Sequence, residues 1–338
     1  MNNNRVIGLD LFRIVMMFGI CLIHTCGQGE YRSAILHNMT TPCVVGFAML
    51  SGYFGLQFSI SKVVRLYSMA VAYCFLIPLV GNGFSAISGE GYFDAVLKAW
   101  GAPWRYWYLH AYIALLCISP ALRTDKFGIK QPFVLVVFIW GFMLSYRTFS
   151  SIVPKAAGFG SHTFVTLLGI YIVSRIAKER LWFERMTVPV AAIGIAVAMV
   201  VLSLIPASGN YNSLVALLFM FSLFSLFKRI KSLGWGNKIV ILIAPSMFGV
   251  YLLHCAIYYP GISDECYGLI NHLMNAHVKG GWSPFFVYFL VAFEVFVISL
   301  AIDLLRRSIL FPMRNLIRIV LDKVDACYER IEKEVVNG

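Results

Sequence analysis

Charge is what this chain has least of: 13% of its 338 residues are Asp, Glu, Lys or Arg, where an ordinary soluble domain carries roughly 25%. With 59% hydrophobic residues and a mean hydropathy of +0.77, that shortage excludes an ordinary soluble domain. Acidic residues are the scarcer sign, 16 against 28 basic ones. The surplus would suggest nucleic acid if it formed one face, but it falls in short clusters between apolar runs, as in cytoplasmic membrane loops. No CxxC pair and no Cys/His ligand spacing occurs among the eight cysteines. Cys21, Cys74, Cys117 and Cys255 therefore read as small apolar packing residues, while a pairing among Cys26, Cys43 and Cys266 near the outer surface stays open. No repeat of fixed period, no long linker and no convincing small-x-small cleavage site after Arg5 is present. These absences point to one helical domain whose first apolar segment is retained, with no metal and no nucleic-acid partner expected.

What is there is a series of apolar runs. At about 17–25 residues per span, ten are expected, near 6–26, 42–58, 63–84, 106–122, 130–146, 162–178, 188–206, 212–229, 239–259 and 284–305. The fold class is all-α, a polytopic integral membrane protein of about ten transmembrane helices. Residues 1–310 form the transmembrane domain. Residues 311–338, where Ile317, Val320, Leu321, Val324, Tyr328, Ile331 and Val335 recur at helical spacing among mixed charges, form a cytoplasmic amphipathic tail. Of the 28 Lys and Arg, 21 fall on the side of the N-terminus, 6 on the other, and Arg13 lies within the first span. Both termini are therefore expected to be cytoplasmic, in a multi-pass protein of the cell inner membrane. The longer connections at 27–41, 85–105, 147–161 and 260–283 are outer loops.

The first span is apolar apart from Asp10, Arg13 and His24. Arg13 and His24 lie three turns apart on one face, about 16 Å along the axis, with Asp10 one turn before Arg13. Each ionisable group at a bilayer centre costs roughly 2.5–3.5 kcal/mol unless it is paired or hydrated, so a site is the default expectation. The plainer alternative is an Asp10–Arg13 pair near the cytoplasmic surface and His24 reaching the opposite interface. With alternating spans, His110 in Trp107-Tyr108-Leu109-His110 and His254 in Tyr251-Leu252-Leu253-His254 fall at the outer level of His24. Each has a plain reading too: the aromatics as an interfacial belt, and the two histidines as satisfied by backbone carbonyls. At the inner level gather Arg13, Ser51-Gly52-Tyr53, Lys62 and Arg65, the glycines permitting close helix approach.

These stretches together resemble the membrane acyltransferase-3 family, integral-membrane enzymes that modify sugars of bacterial surface polysaccharides. The marks are Leu9-Asp10-Leu11-Phe12-Arg13 followed by His24, Ser51-Gly52-Tyr53, Trp107-Tyr108-Leu109 running to Ile118-Ser119-Pro120, and Gly249-Val250-Tyr251-Leu252-Leu253-His254. The resemblance implies O-acyl transfer, acetyl first and succinyl second, from cytoplasmic acyl-CoA to a hydroxyl of an extracytoplasmic or lipid-linked surface glycan of the cell envelope. It carries over Arg13 and His24 as the catalytic pair, and it implies Arg13, Ser51 and Arg65 as donor-binding residues. Trp107, Tyr108, His110, Tyr251 and His254 are expected to line the acceptor side. The family often has two arginines one residue apart at the start of the third span, whereas Val63-Val64-Arg65-Leu66-Tyr67 supplies one. The expected partners are acyl-CoA, the glycan acceptor and membrane lipid. A transporter or flippase of a glycan precursor, which also places isolated Asp, Arg and His in membrane helices, is the alternative.

The basic-residue asymmetry predicts that cysteine-accessibility labelling places both termini inside and the 260–283 connection outside. Labelling of a C-terminal tag from outside intact cells would reverse the depth assigned to every residue above.

Overall fold

The computed structural model describes residues 5–26, 33–82, 107–121, 161–205, 210–258 and 268–337; the expected span at 130–146 lies outside them. Among the described residues there are helices and turns and no strand. In chain order they are α1 (Ile7–Cys26), α2 (Ala34–Thr40), α3 (Cys43–Phe54), α4 (Ile60–Asn82), α5 (Trp107–Ile118), α6 (Ser161–Glu179), α7 (Trp182–Arg185), α8 (Val188–Leu204), α9 (Leu214–Lys228), α10 (Gly236–Ile243), α11 (Met247–Tyr258), α12 (Gly268–Lys279), α13 (Pro284–Leu310) and α14 (Arg314–Asn337). Among the described residues, four stretches are long and apolar enough to cross a membrane: Ile7–Cys26, Ala34–Phe54, Gly236–His254 and Pro284–Leu310. Tyr108–Ile118, Val188–Leu204 and Leu214–Lys228 are shorter apolar helices.

α1 is the hub, packed against α2, α3, α9, α10, α11 and α13. Its apolar side chains leave almost no surface: Leu9, Phe12, Met16, Met17 and Cys21 are buried. Phe12 meets Phe224 and Phe227 edge-on, with ring centroids 5.3 and 5.5 Å apart. Neighbour pairs fix the directions. Gly19 lies against Cys43 and Gly46 against Met16, so α3 runs antiparallel to α1. Gly8 donates its N–H to Ile230 at 3.1 Å just past α9, while Phe18 meets Phe296 at 6.0 Å on α13, so those helices run antiparallel too. Arg5 reaches Ile241 and His24 reaches His254, so α10 and α11 run parallel to α1. The basic residues Arg5, Arg229 and Arg307 consequently share the end of the bundle where α1 begins.

Two of the expected loops contain helix. Residues 34–40, within the expected 27–41 connection, form α2, which starts where the Ser33 hydroxyl accepts from the Leu36 N–H at 3.4 Å. Residues 268–279, within the expected 260–283 connection, form α12, packed on α13 and tied to it by His277 Nε2 and Glu294 Oε1 at 3.0 Å. The second span ends sooner than expected. Helix α3 stops at Phe54 because Gly55 adopts φ 75°, a conformation that costs a side chain but not glycine. The ninth span is broken by Pro245 into α10, a tight turn at Ala244–Ser246, and α11. Proline has no N–H for the Ile241 carbonyl, and Arg5 Nη2 supplies a donor there at 3.4 Å. Arg307 Nη1 closes the same break, donating to the Leu242 carbonyl at 2.9 Å and to Ser246 Oγ at 2.8 Å.

A second ionic knot holds α4, α11 and α13. Asp303 is fully buried, and its Oδ1 accepts from the Tyr73 hydroxyl and from Arg306 Nη2 at 2.8 Å. Its carboxylate lies so close to Gly249 that a Cβ there would overlap it, which is why the Gly249-to-His254 stretch begins with glycine. The tail helix α14 docks through polar atoms rather than through an apolar seam. Asp325 accepts from Ser61 Oγ at 2.6 Å, from the Ser61 N–H at 3.0 Å and from Ser59 Oγ at 3.1 Å, so it caps the first turn of α4 from another helix. Hydrogen bonds from Ser61 hold its carboxyl below the usual carboxylate range. That docking contribution is present above the ordinary pKa and is lost as pH falls through the lowered one. Ile317 and Val320 on the tail remain exposed.

Cys26 and Cys43 are buried and form no disulfide among the described residues, and Cys266 lies outside them. Cys21 and Cys74 are buried as expected of packing residues, whereas Cys117 is exposed.

Replacing Asp303 by Ala leaves Arg306 without its carboxylate and is expected to cost roughly 3 kcal/mol. The thermal unfolding of detergent-solubilised protein measures it, and a shift no larger than that of an exposed α13 substitution such as Phe293→Ala would remove the knot from the fold's supports.

Candidate functional site

Asp10 is 8% exposed and sits between two guanidinium groups. Arg5 is its closer partner, and Arg13 Nη1 reaches Asp10 Oδ1 at 3.4 Å. The Asp10–Arg13 pair of the plain reading therefore exists, but it is long and engages one of five N–H donors. Arg13, with a side chain 33% exposed, forms no other hydrogen bond among the described residues. A guanidinium in a helix bundle with most of its donors unspent is suited to an anionic or carbonyl oxygen.

At the other end of the same helix face, His24 does not reach out to an interface. It is half-buried, and its ring lies 5.2 Å from the ring of His254 on α11. His254 is fully buried, with Nδ1 3.1 Å from the Val250 carbonyl. A carbonyl can only accept, so the proton sits on Nδ1 and Nε2 carries the lone pair. The plain reading of His254, a histidine satisfied by a backbone carbonyl, is thus met at Nδ1. His37 of α2 lies within electrostatic range of His24, which adds a third imidazole to this end. Among the described residues no three metal-ligating side chains converge.

A file of aromatic rings joins the two ends. From His254 the contacts run to Tyr251 at 5.7 Å, to Tyr108 on α5 at 5.9 Å, and to Tyr112, stacked on Tyr108 at 6.4 Å. Tyr112 lies near enough to Arg13 for their charges to interact, and Tyr171 on α6 lies near enough to Tyr112. Ser51 enters from α3: its hydroxyl donates to the Phe47 carbonyl at 3.0 Å and lies within hydrogen-bonding reach of Tyr108. Gly52 lets α6 close on this wall, since a Cβ there would run into the Tyr171 carbonyl and Ser174.

Arg13, Ser51, Tyr108, Tyr251, His254 and His24 are therefore brought together along one track. His110 has its ring 6.2 Å from that of Tyr67 on α4. A shallow groove of about 540 Å³ beside it, lined by Val63, Val64, Tyr67, Ser68, Val71 and Ala72, shares no residue with the track. Arg65 is exposed on α4, and no hydrogen bond or ion pair joins it to Arg13 or Ser51 among the described residues. Trp107 opens α5, and its side chain lies outside the described residues. Tyr112 was not singled out from sequence, although Tyr108 and Tyr112 stand four residues apart and share a helix face.

With that geometry in hand, comparison with known proteins shows that a family model described as an acyltransferase domain covers residues 6–304. No curated protein and no solved structure matches the chain.

Proposed function

For a chain that belongs to the acyltransferase-3 family, and so is a membrane acyltransferase, we propose O-acyl transfer from cytoplasmic acyl-CoA to a hydroxyl of an extracytoplasmic or lipid-linked surface glycan in the inner membrane. Acetyl is the first choice of acyl group and succinyl the second. The observation that supports this reading is the continuous track from Arg13 to the His24–His254 pair, because transfer across a membrane needs the donor's anionic end and the acceptor's proton handled at separate depths. A transporter or flippase, the alternative from sequence, gives way to the family match.

In this mechanism the acceptor hydroxyl oxygen attacks the thioester carbonyl carbon while an imidazole nitrogen takes the hydroxyl proton. The tetrahedral oxyanion collapses, the C–S bond breaks, and the departing thiolate receives the proton. His24 is the base, since it is the less enclosed of the two imidazoles; His254, its Nδ1–H fixed on Val250, supports it from behind. Arg13, about 16 Å from His24 along α1, directs its unspent N–H donors at the anionic or amide-carbonyl oxygens of the donor and so steers the thioester toward the imidazoles. The aromatic wall restricts water, which limits hydrolysis of the thioester.

Two experiments test the roles. Arg13→Lys keeps the charge but loses the planar fork, so it is expected to lose most transfer activity; a lysine variant with near-normal donor affinity and turnover would return Arg13 to a structural pairing with Asp10. His24→Ala is expected to accumulate normally, bind acyl-CoA and lose activity by about 10²–10⁴-fold, as read by mass spectrometry of the acylated glycan. If His24→Ala keeps more than about a tenth of transfer while His254→Ala abolishes it, the base is His254.

A further inference from the structure

Opposite the aromatic track, on the other face of α3, Tyr53 carries two ammonium groups. Lys178 Nζ of α6 and Lys228 Nζ of α9 each lie 5.0 Å from its ring centroid. The ring is fixed from below by Phe224 at 5.2 Å and by the buried Phe183 at 5.7 Å. Phe183 follows a turn at Leu181, which takes the left-handed conformation, φ 57°, at the start of α7. Two more bases stand alongside. The Arg175 guanidinium packs on Gly55, and Arg229 donates to the Glu184 carbonyl at 3.1 Å. Against these four bases stand two carboxylates, Glu184 on Lys228 and Glu179 on Arg175 at 3.6 Å. Lys178 forms no ion pair and no hydrogen bond among the described residues.

Lysines that merely anchor a helix to the membrane surface extend their ammonium groups outward to water and headgroups. Here two of them fold inward over one ring, where like charges repel, and the ring quadrupole compensates only in part. An oxyanion with several acceptor oxygens relieves that arrangement; the Glu184 carboxylate pairs with Lys228, while Lys178 feels only the longer-range attraction of Glu179, which is itself paired with Arg175. We propose that Tyr53, Lys178 and Lys228 form a phosphate-binding site that takes the phosphorylated nucleotide end of the acyl donor. The proposal rests on the acyl-CoA reading above. Its position suits that reading: Gly46 packs at the level of Met16, Tyr53 lies seven residues further along α3, and His24 eight residues further along α1, so the two sites are separated by about 22 Å along the bundle axis. Tyr53 is the next-to-last residue of α3, so a donor held there by its phosphates passes around the end of that helix to Arg13, with its thioester directed at the histidine end.

The test is binding of 3′,5′-ADP to the full-length protein in nanodiscs of phosphatidylcholine or of phosphatidylglycerol, alongside the KM for acetyl-CoA and for its dephospho form. Wild type is expected to bind 3′,5′-ADP and to prefer the phosphorylated donor. Lys178→Gln and Lys228→Gln should each weaken 3′,5′-ADP binding at least tenfold and erase that preference with kcat little changed, whereas Lys178→Arg keeps both. Equal 3′,5′-ADP affinity in wild type and both glutamine variants overturns the site while leaving acyl transfer standing. Binding that behaves as proposed in a protein that transfers no acyl group sinks the transfer reading and keeps the site. If wild type ignores 3′,5′-ADP, and phosphatidylglycerol stabilises it but not the glutamine variants, the phosphate belongs to a lipid headgroup and the nucleotide assignment is wrong.

Discussion

The structure depends on how one helix keeps charge inside apolar surroundings. α1 is enclosed by six other helices, and a carboxylate there is tolerable only if it is neutralised within the bundle. Asp10 is neutralised twice, and the division of labour matters: Arg5 takes the close contact and also donates to the carbonyl freed by Pro245, so it ties α1 to α10. Arg13 takes the long contact and keeps its remaining donors. Without Arg5, Asp10 would claim Arg13, and the helix would carry an ordinary ion pair in place of a guanidinium open to a ligand.

The same economy operates on the far side of α11. The turn at Pro245 and the knot around Asp303 bracket the start of the helix that presents Tyr251 and His254. Arg307 fixes the turn, and the Asp303 carboxylate presses on Gly249. Two and five residues beyond Gly249, the tyrosine and histidine inherit that registration. The buried polar groups of this protein are thus of two kinds. Some fix helices to one another, as Asp303 does through Tyr73 and Arg306, and a smaller set lines the track.

How much of this is legible in the sequence follows from which coordinate is asked for. Depth in a bilayer is written in hydropathy and in the placement of Lys and Arg, so the level of Arg13, Ser51, Tyr251, His254 and His24 could be read directly. Lateral neighbourhood is not written there. Depth alone cannot say that α5 turns His110 toward Tyr67. The same limit hid Tyr112 and the placement of Tyr53 between two lysines from different helices. Helices α2 and α12 were missed for another reason. They are short and polar for their length, so hydropathy assigns them to loops, while a Ser33 cap and the His277–Glu294 contact hold them helical. A disulfide between Cys26 and Cys43 was left open because both fall near the outer end; in the fold each is consumed by packing, Cys43 against Gly19.

Separating the guanidinium from the imidazoles has a chemical reason beyond topology. A histidine that must accept a proton is useful only while neutral, and a fixed positive charge within a few ångströms disfavours protonation just when the base is asked to take the proton. Three helical turns of an apolar α1 reduce that repulsion, and the intervening tyrosines add no net charge. The cost is that donor and acceptor must be long enough to meet across the gap. A donor with charge at one end, an extended neutral arm and a reactive carbonyl at the other fits that division, whereas a compact activated acyl group would engage only one end of the track at a time.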